Sequence, residues 1–137
     1  MKGYYFPDLM RASILLCFVV FFLLSGCQKE ESSVPAERLF GQTWYNTFQQ
    51  KEGDFFIFKP EPQLNAGWRY DNFRLEADGQ FQEEGLGPAD GVESRPGVWT
   101  REGANKYRIR FLDGTRPGYL LEVKLLDKQT LQARRVY

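Results

Sequence analysis

The chain has 137 residues, with 18 Lys and Arg, 18 Asp and Glu, and a formal net charge of zero. This balance excludes the basic surface that nucleic-acid binding requires. Histidine is absent, which excludes Ser-His and Cys-His nucleophile pairs and His-based zinc sites. Aromatic residues make up 16% of the chain, and this composition favours strands over helices in one small domain.

An apolar run, Ala12–Leu24, stands near the start of the chain. It is too short for a membrane-spanning helix, which needs about 20 residues. Lys2 and Arg11 precede it, which is typical of a secretory leader. The alternative is a buried core helix, but such a helix shows an amphipathic period and this run has none. The pattern therefore predicts a helical signal peptide over residues 1–26.

The run ends at Leu24-Ser25-Gly26-Cys27, which resembles the lipobox of bacterial lipoproteins. The resemblance implies that the leader is cut before Cys27 and that this cysteine carries the lipid. Two or three acyl chains hold a protein on a membrane where a single chain does not. The expected partner of the N-terminal region is therefore a membrane, contacted through the lipid anchor at Cys27.

Lys29, Glu30 and Glu31 follow the cysteine closely. They resemble the surface-export tag of lipoproteins in one large Gram-negative phylum. The resemblance implies an outer-membrane protein that faces the cell surface, with the periplasmic face of that membrane as the alternative. Residues 27–38 are expected to form the acylated cysteine and a flexible tether, and residues 39–137 the folded domain.

Short apolar–polar runs with turn residues between them fill the rest of the chain. Such spacing, without a long helical pattern, indicates an antiparallel barrel or sandwich. The predicted strands are Thr43–Gln49, Asp54–Lys59, Trp68–Glu76, Gln80–Gly85, Gly97–Arg101, Lys106–Leu112, Tyr119–Leu126 and Thr130–Val136.

Two hairpins fix the register of this pattern. A two-residue Asp78-Gly79 turn would send Phe81 to the wrong face. A three-residue loop that ends with Gly79 in the left-handed conformation instead places Leu75 opposite Phe81. In the last hairpin, the loop 127–129 places Leu125 opposite Leu131 and Val123 opposite Ala133.

Continuing the last hairpin places Arg135 inward, opposite Leu121. An unpaired charge inside a barrel is costly, so Arg135 needs a partner, and Trp44 on the first strand is the expected one through a cation–π contact. The alternative is a frayed last strand with a solvated Arg135.

The pattern as a whole resembles the lipocalin-like domains of small bacterial lipoproteins. The residues that carry the resemblance are Gly41-Gln42-Thr43-Trp44, the hairpin Phe73–Phe81, Gly97-Val98-Trp99 and the arginines of the last strand. The resemblance implies an all-β, antiparallel up-and-down barrel of about eight strands around a cavity. It also implies that Arg135 packs over Trp44, or Arg134 if the register shifts by one residue.

The function expected from these patterns is non-catalytic binding of a small apolar or amphipathic ligand in the barrel. The candidate ligand-binding residues are Trp44, Phe73, Phe81, Trp99, Tyr107 and Arg135, although packing of the barrel core also explains aromatic residues at such positions. The alternative is an interaction protein, such as an inhibitor or an accessory subunit of a cell-surface complex, that uses its outer face or loops.

The segment Gly85–Gly97 is rich in Gly and Pro, and it is predicted to be a loop. It is a candidate lid, but Asp90 and Glu93 are too few carboxylates for a calcium site, and a plain connection explains it equally well. No metal-ligand spacing, phosphate-binding loop or nucleophile elbow occurs. The sequence therefore predicts no enzyme, no metal and no cofactor.

Overall fold

The computed structural model describes residues 33–60 and 70–137, except for the side chain of Leu126. The N-terminal leader, the lipobox with Cys27 and the proposed tag at Lys29–Glu31 lie outside the described residues. No helix in the described ranges is long and apolar enough to cross a membrane.

Eight strands close into an antiparallel barrel, as the sequence predicted. One helical turn, α1 (Ala36–Leu39), precedes them, and a 3-10 turn, Pro88–Asp90, interrupts them. The strands are β1 (Thr43–Glu52), β2 (Phe55–Pro60), β3 (Asn72–Leu75), β4 (Gln80–Leu86), β5 (Val92–Gly103), β6 (Lys106–Phe111), β7 (Tyr119–Asp127) and β8 (Thr130–Val136).

The order of strands around the barrel is β1-β2-β8-β7-β6-β5-β4-β3, and β3 pairs with β1 to close it. Strands β3 to β8 form a continuous meander. The β1–β2 hairpin lies between β3 and β8. Strands β2 and β3 are therefore consecutive in the chain but are not neighbours in the barrel, which is the one departure from a simple up-and-down order. That connection includes residues 61–69, which the structure does not describe.

Both predicted hairpin registers are confirmed. Leu75 pairs with Phe81, and Gly79 has a φ of 93°. The Asp78 side chain accepts a hydrogen bond from the Gln80 amide at 3.1 Å, which supports the turn as short polar side chains commonly do. In the last hairpin Leu125 pairs with Leu131, with a register shift between Leu125 and Asp127.

The prediction of a long loop over Gly85–Gly97 is wrong. Strand β4 continues to Leu86 and β5 begins at Val92, so the true connection is residues 87–91. Glycine and proline suggested a loop, but Arg95 forms an ion pair with Glu83 across this hairpin and another with Glu93 on its own strand. These ion pairs and the backbone ladder from Gln80–Val98 to Leu86–Val92 hold the segment as a strand.

The core of the barrel includes a segment assigned above to the tether. Leu39 is fully buried and Val34 is 5% exposed. The Val34 amide donates to the Asn105 side-chain oxygen at 2.7 Å, and the Trp44 indole donates to the Leu39 carbonyl at 3.1 Å. The fold therefore begins before residue 39, and the α1 segment covers one end of the barrel, which we call the closed end.

Candidate binding site

Five of the six residues predicted to bind a ligand pack within the protein. Trp44, Phe73, Phe81 and Tyr107 are buried core residues. Trp99 is half-buried, and its ring stacks on Phe40 of the closed end with a centroid distance of 5.1 Å. Arg135 is the only one of the six that lines the cavity described next.

A cavity of about 230 Å³ lies inside the opposite, open end of the barrel. We call it the mouth cavity. Its apolar lining comes from neighbouring strands, because Phe56 pairs with Ala133 and Leu121 pairs with Arg135. The full set of lining residues is Asp54, Phe56, Phe58, Leu121, Ala133, Arg134, Arg135 and Tyr137.

The mouth cavity is present because of the size of the inward side chains and the short pairing of the strands that surround it. Alternate residues of an antiparallel barrel point inward. At this level of the barrel the inward position on β8 is Ala133 (1% exposed), whose small side chain leaves space between larger neighbours. The strands β2 and β8 pair only through Phe56–Phe58 and Leu131–Ala133, so the open end beyond Phe56 has no further ladder between them.

Arg135 forms the polar end of this cavity, and its partner differs from the predicted one. Its Nη2 donates to Asp71 Oδ1 at 2.8 Å, and its Nε lies 3.3 Å from Glu83 Oε2. The aromatic ring near the guanidinium is Tyr119, at 5.8 Å. The expectation that Trp44 would be the partner is wrong.

The strand register explains this correction. Trp44 lies opposite Pro60, at the end of β2 that reaches the closed end, while Arg135 lies two residues beyond the Phe56–Ala133 pair on the other side. Two carboxylates also compensate a buried guanidinium better than a ring does. The prediction that Arg135 faces inward opposite Leu121 is confirmed.

Glu83 connects Arg135 to a second arginine. Its side chain is 6% exposed, its Oε1 accepts from Arg95 Nη1 at 3.1 Å, and its Oε2 accepts the Tyr119 hydroxyl. Arg95 lies directly over Gly85, where an added Cβ would sit 2.5 Å from Nη1. A glycine at position 85 is therefore what leaves room for the guanidinium.

The ion pairs continue to the loop between β6 and β7. Glu93 Oε2 accepts from Arg95 at 3.2 Å and from Arg116 at 3.1 Å. Those two arginines lower the pKa of Glu93 through their hydrogen bonds. Glu93 is therefore a carboxylate held by arginines, and the described residues contain no group of three or more His, Cys, Asp or Glu that could hold a metal ion.

Burial and charge shift two pKa values around Glu83. Burial raises the pKa of Tyr119 well above its usual value, and the nearby Glu83 charge adds to that rise. Burial alone would lower the pKa of Arg135, but the negative charges of Asp71 and Glu83, joined by that of Tyr119 only once it ionises at alkaline pH, outweigh burial and raise that pKa. Both side chains therefore keep their protons at neutral pH, with Tyr119 uncharged and Arg135 positive.

The sequence pattern did not identify Phe56 and Phe58 as the wall of a cavity. The signal that was available is the inward row of β7 and β8, which places Leu121 and Ala133 beside Arg135. Pairing between β2 and β8 has no local signal, because the strands are far apart in the sequence. Comparison with protein-family models, with curated proteins and with solved structures finds no match to this chain.

Proposed function

We propose that this protein is a membrane-anchored lipoprotein with a non-catalytic, lipocalin-like barrel that binds a small apolar or amphipathic molecule. The mouth cavity is the observation that supports binding. Much of its wall is apolar, and Asp54, Arg134 and Arg135 supply the charged groups. Apolar walls with a few polar groups are the usual character of small-molecule sites.

The size of the cavity restricts the ligand. Typical small-molecule pockets have volumes of about 300–1,000 Å³, and the mouth cavity has about 230 Å³. A water-sized group occupies about 30 Å³, so the cavity suits a short aliphatic chain or a single aromatic ring. Large ligands such as haem do not fit it.

The site is tested by filling the cavity from one position. Ala133→Leu adds three carbon atoms to the cavity wall, and Ala77→Leu is the matched control in the exposed turn before β4. Hexanol and benzyl alcohol serve as probes of the two ligand shapes. Their binding is followed by two-dimensional NMR, because Trp44 and Trp99 lie at the closed end and do not report on the mouth.

We expect at least one of the two probes to shift the NMR signals of the backbone amides of Phe56, Leu121 and Ala133. The shift should occur both in the unmodified barrel and in Ala77→Leu. Ala133→Leu should lose this response while its remaining spectrum keeps the pattern of a folded barrel. Absence of any response in the unmodified barrel, or a response that Ala133→Leu retains, would contradict binding in the mouth cavity.

The anchor is proposed to be the lipid on Cys27, with Lys29, Glu30 and Glu31 as the signal for display on the cell surface. The described chain enters the fold at the closed end, where Val34 contacts Asn105. The proposed location is the outer membrane, with the periplasmic face as the alternative.

Two variants test the anchor and the location. Cys27→Ser should block incorporation of a clickable fatty acid and leave the leader uncleaved. Alanine at residues 29–31 should protect the domain from protease added to intact cells of the native host, while lipid labelling continues. Normal labelling of Cys27→Ser would contradict the lipoprotein proposal, and protection of the unmodified protein would indicate the periplasmic face.

The second candidate function is that of an interaction protein, and one observation favours it. Leu86 and Val92 form a cross-strand pair at the tip of the β4–β5 hairpin and are 51% and 61% exposed. Leu112 and Tyr137 are also exposed at the open end. Exposed apolar side chains mark partner surfaces when they are grouped. Crosslinking on native cells from position 90 in the same hairpin tests this function, and the double variant Leu86→Asp, Val92→Asp should lose the crosslinked partner.

A further inference from the structure

We propose that the mouth cavity selects an uncharged molecule whose polar end accepts hydrogen bonds, such as an amide, ester or ketone. This inference rests on the proposed function and adds the chemistry of the ligand's polar end. A carboxylate or an ammonium ion of the same chain length is expected to bind less tightly. Two features of the site favour such a ligand: the charges behind Arg135 and the hydrogen-bond donors that its guanidinium has left.

The positive charge of Arg135 is already compensated. Asp71 Oδ1 lies 2.8 Å from its Nη2, and Glu83 Oε2 lies 3.3 Å from its Nε. Glu83 also contacts Arg95 at 3.1 Å. The four groups carry two positive and two negative charges, and two further lining residues, Asp54 and Arg134, add one charge of each sign. This end of the cavity therefore has no net charge that would attract an anion.

Hydrogen-bond donors of the guanidinium remain unused. Nε is buried beside Glu83 and is out of reach of a ligand, so the available donors are on the terminal nitrogens. Of the hydrogen bonds that Arg135 forms with the described residues, the one to Asp71 uses Nη2, and none uses Nη1. Arg135 lines the mouth cavity, so a carbonyl oxygen on a ligand would meet a charged donor there.

Desolvation decides between an uncharged acceptor and a carboxylate. A carboxylate loses much more hydration than an amide when it enters a half-buried site. The neutral group of Asp71, Glu83, Arg95 and Arg135 gives no extra attraction that would offset this loss. An ammonium ion would bring a second positive charge to Arg135, whose guanidinium offers it no hydrogen-bond acceptor.

The experiment uses three probes of equal chain length: hexanamide, hexanoate and hexylamine at pH 7. Dissociation constants come from NMR titration of the amides of Leu121 and Ala133 in the unmodified barrel. Hexanamide forms a hydrogen bond to a charged donor without losing the hydration of a charge of its own. Its dissociation constant should therefore be about tenfold lower than that of hexanoate. Hexanoate or hexylamine binding as tightly as hexanamide would overturn the inference.

Glu83→Gln tests the charge argument without touching the wall of the cavity. Glu83 does not line it, and the variant leaves one uncompensated positive charge behind it. The ratio of hexanoate to hexanamide affinity should rise about tenfold or more, and Asp71→Asn should raise it in the same way. Glu102→Gln is the control, because Glu102 pairs with Arg108 on the exposed surface.

A merely structural role of Glu83 would weaken all three probes alike and leave the ratio unchanged, which would overturn the inference. The comparison within the unmodified barrel needs no variant, so poor folding of Glu83→Gln does not remove the test. If none of the three probes binds at all, the proposed function itself fails. If they bind with hexanoate tightest, binding stands and the selection proposed here fails.

Discussion

Replacing Glu83 by alanine is the most informative perturbation of the fold. The carboxylate is nearly buried and accepts hydrogen bonds from Arg95 and Tyr119, and it lies 3.3 Å from Arg135. The substitution therefore leaves two guanidinium groups and one hydroxyl without their common partner inside the barrel. No other described carboxylate contacts both Arg95 and Arg135.

The size of the effect follows from burial. Breaking a buried ion pair by removing one partner costs about 3–5 kcal/mol, because a charge is left without compensation. Glu83 is 6% exposed, whereas Arg95 and Arg135 are 21% and 23% exposed. Water reaches both arginines to some degree, so we expect a loss near the lower limit, about 3 kcal/mol. This loss is a large fraction of the free energy of unfolding of an ordinary domain, which is about 5–15 kcal/mol.

The assay is urea unfolding followed by circular dichroism, with Glu102→Ala as the matched control. Glu102 and Arg108 are 43% and 40% exposed, and exposed pairs contribute about 0–1 kcal/mol. Glu83→Gln keeps the side-chain volume and one acceptor. Its loss of unfolding free energy should therefore fall between the losses of the two alanine variants. Equal losses for Glu83→Ala and Glu102→Ala would refute the view that Glu83 stabilises the barrel through buried charges.

Two further predictions concern the β3–β4 turn and alkaline pH. Gly79→Ala should destabilise the fold by about 1 kcal/mol. A left-handed residue with a Cβ costs about 1–2 kcal/mol, and the lower conformational entropy of the unfolded chain offsets part of this cost. Gly103 has no positive φ, so Gly103→Ala should not destabilise the fold in this way. Urea unfolding of both variants decides this, and equal losses would contradict it. Because the pKa of Tyr119 is raised in the folded protein, the stabilisation that its uncharged hydroxyl gives to the fold is fully present below pH 10. Above that pH, ionisation of the unfolded chain should lower the free energy of unfolding by up to about 1.4 kcal/mol per pH unit. Tyr119→Phe should reduce this slope, and the part that remains comes from Tyr107, whose pKa burial also raises. The exposed Tyr137→Phe should leave the slope unchanged, as measured between pH 9 and 12; equal slopes in all three proteins would contradict the assignment.

The sequence by itself determined the class of the fold and several local registers. Alternation of apolar and polar residues predicted all eight strands, because the side chains of a strand point alternately to two faces. The position of Gly79 determined which residues pair across the β3–β4 turn, since a left-handed residue is required there. The same arithmetic in the last hairpin placed Arg135 inward.

The tertiary structure alone decided the order of strands and the location of the cavity. The pairings of β1 with β3 and of β2 with β8 join distant segments, and no turn residue specifies them. They bring Phe56 beside Ala133 and bring Asp71 and Glu83 to Arg135. Packing forces and charge compensation act between atoms that are close in space, whereas a local sequence pattern specifies only neighbours along the chain and across a hairpin. For that reason the aromatic residues that looked most like ligand contacts form the core, and the cavity lies where a small residue, Ala133, leaves space.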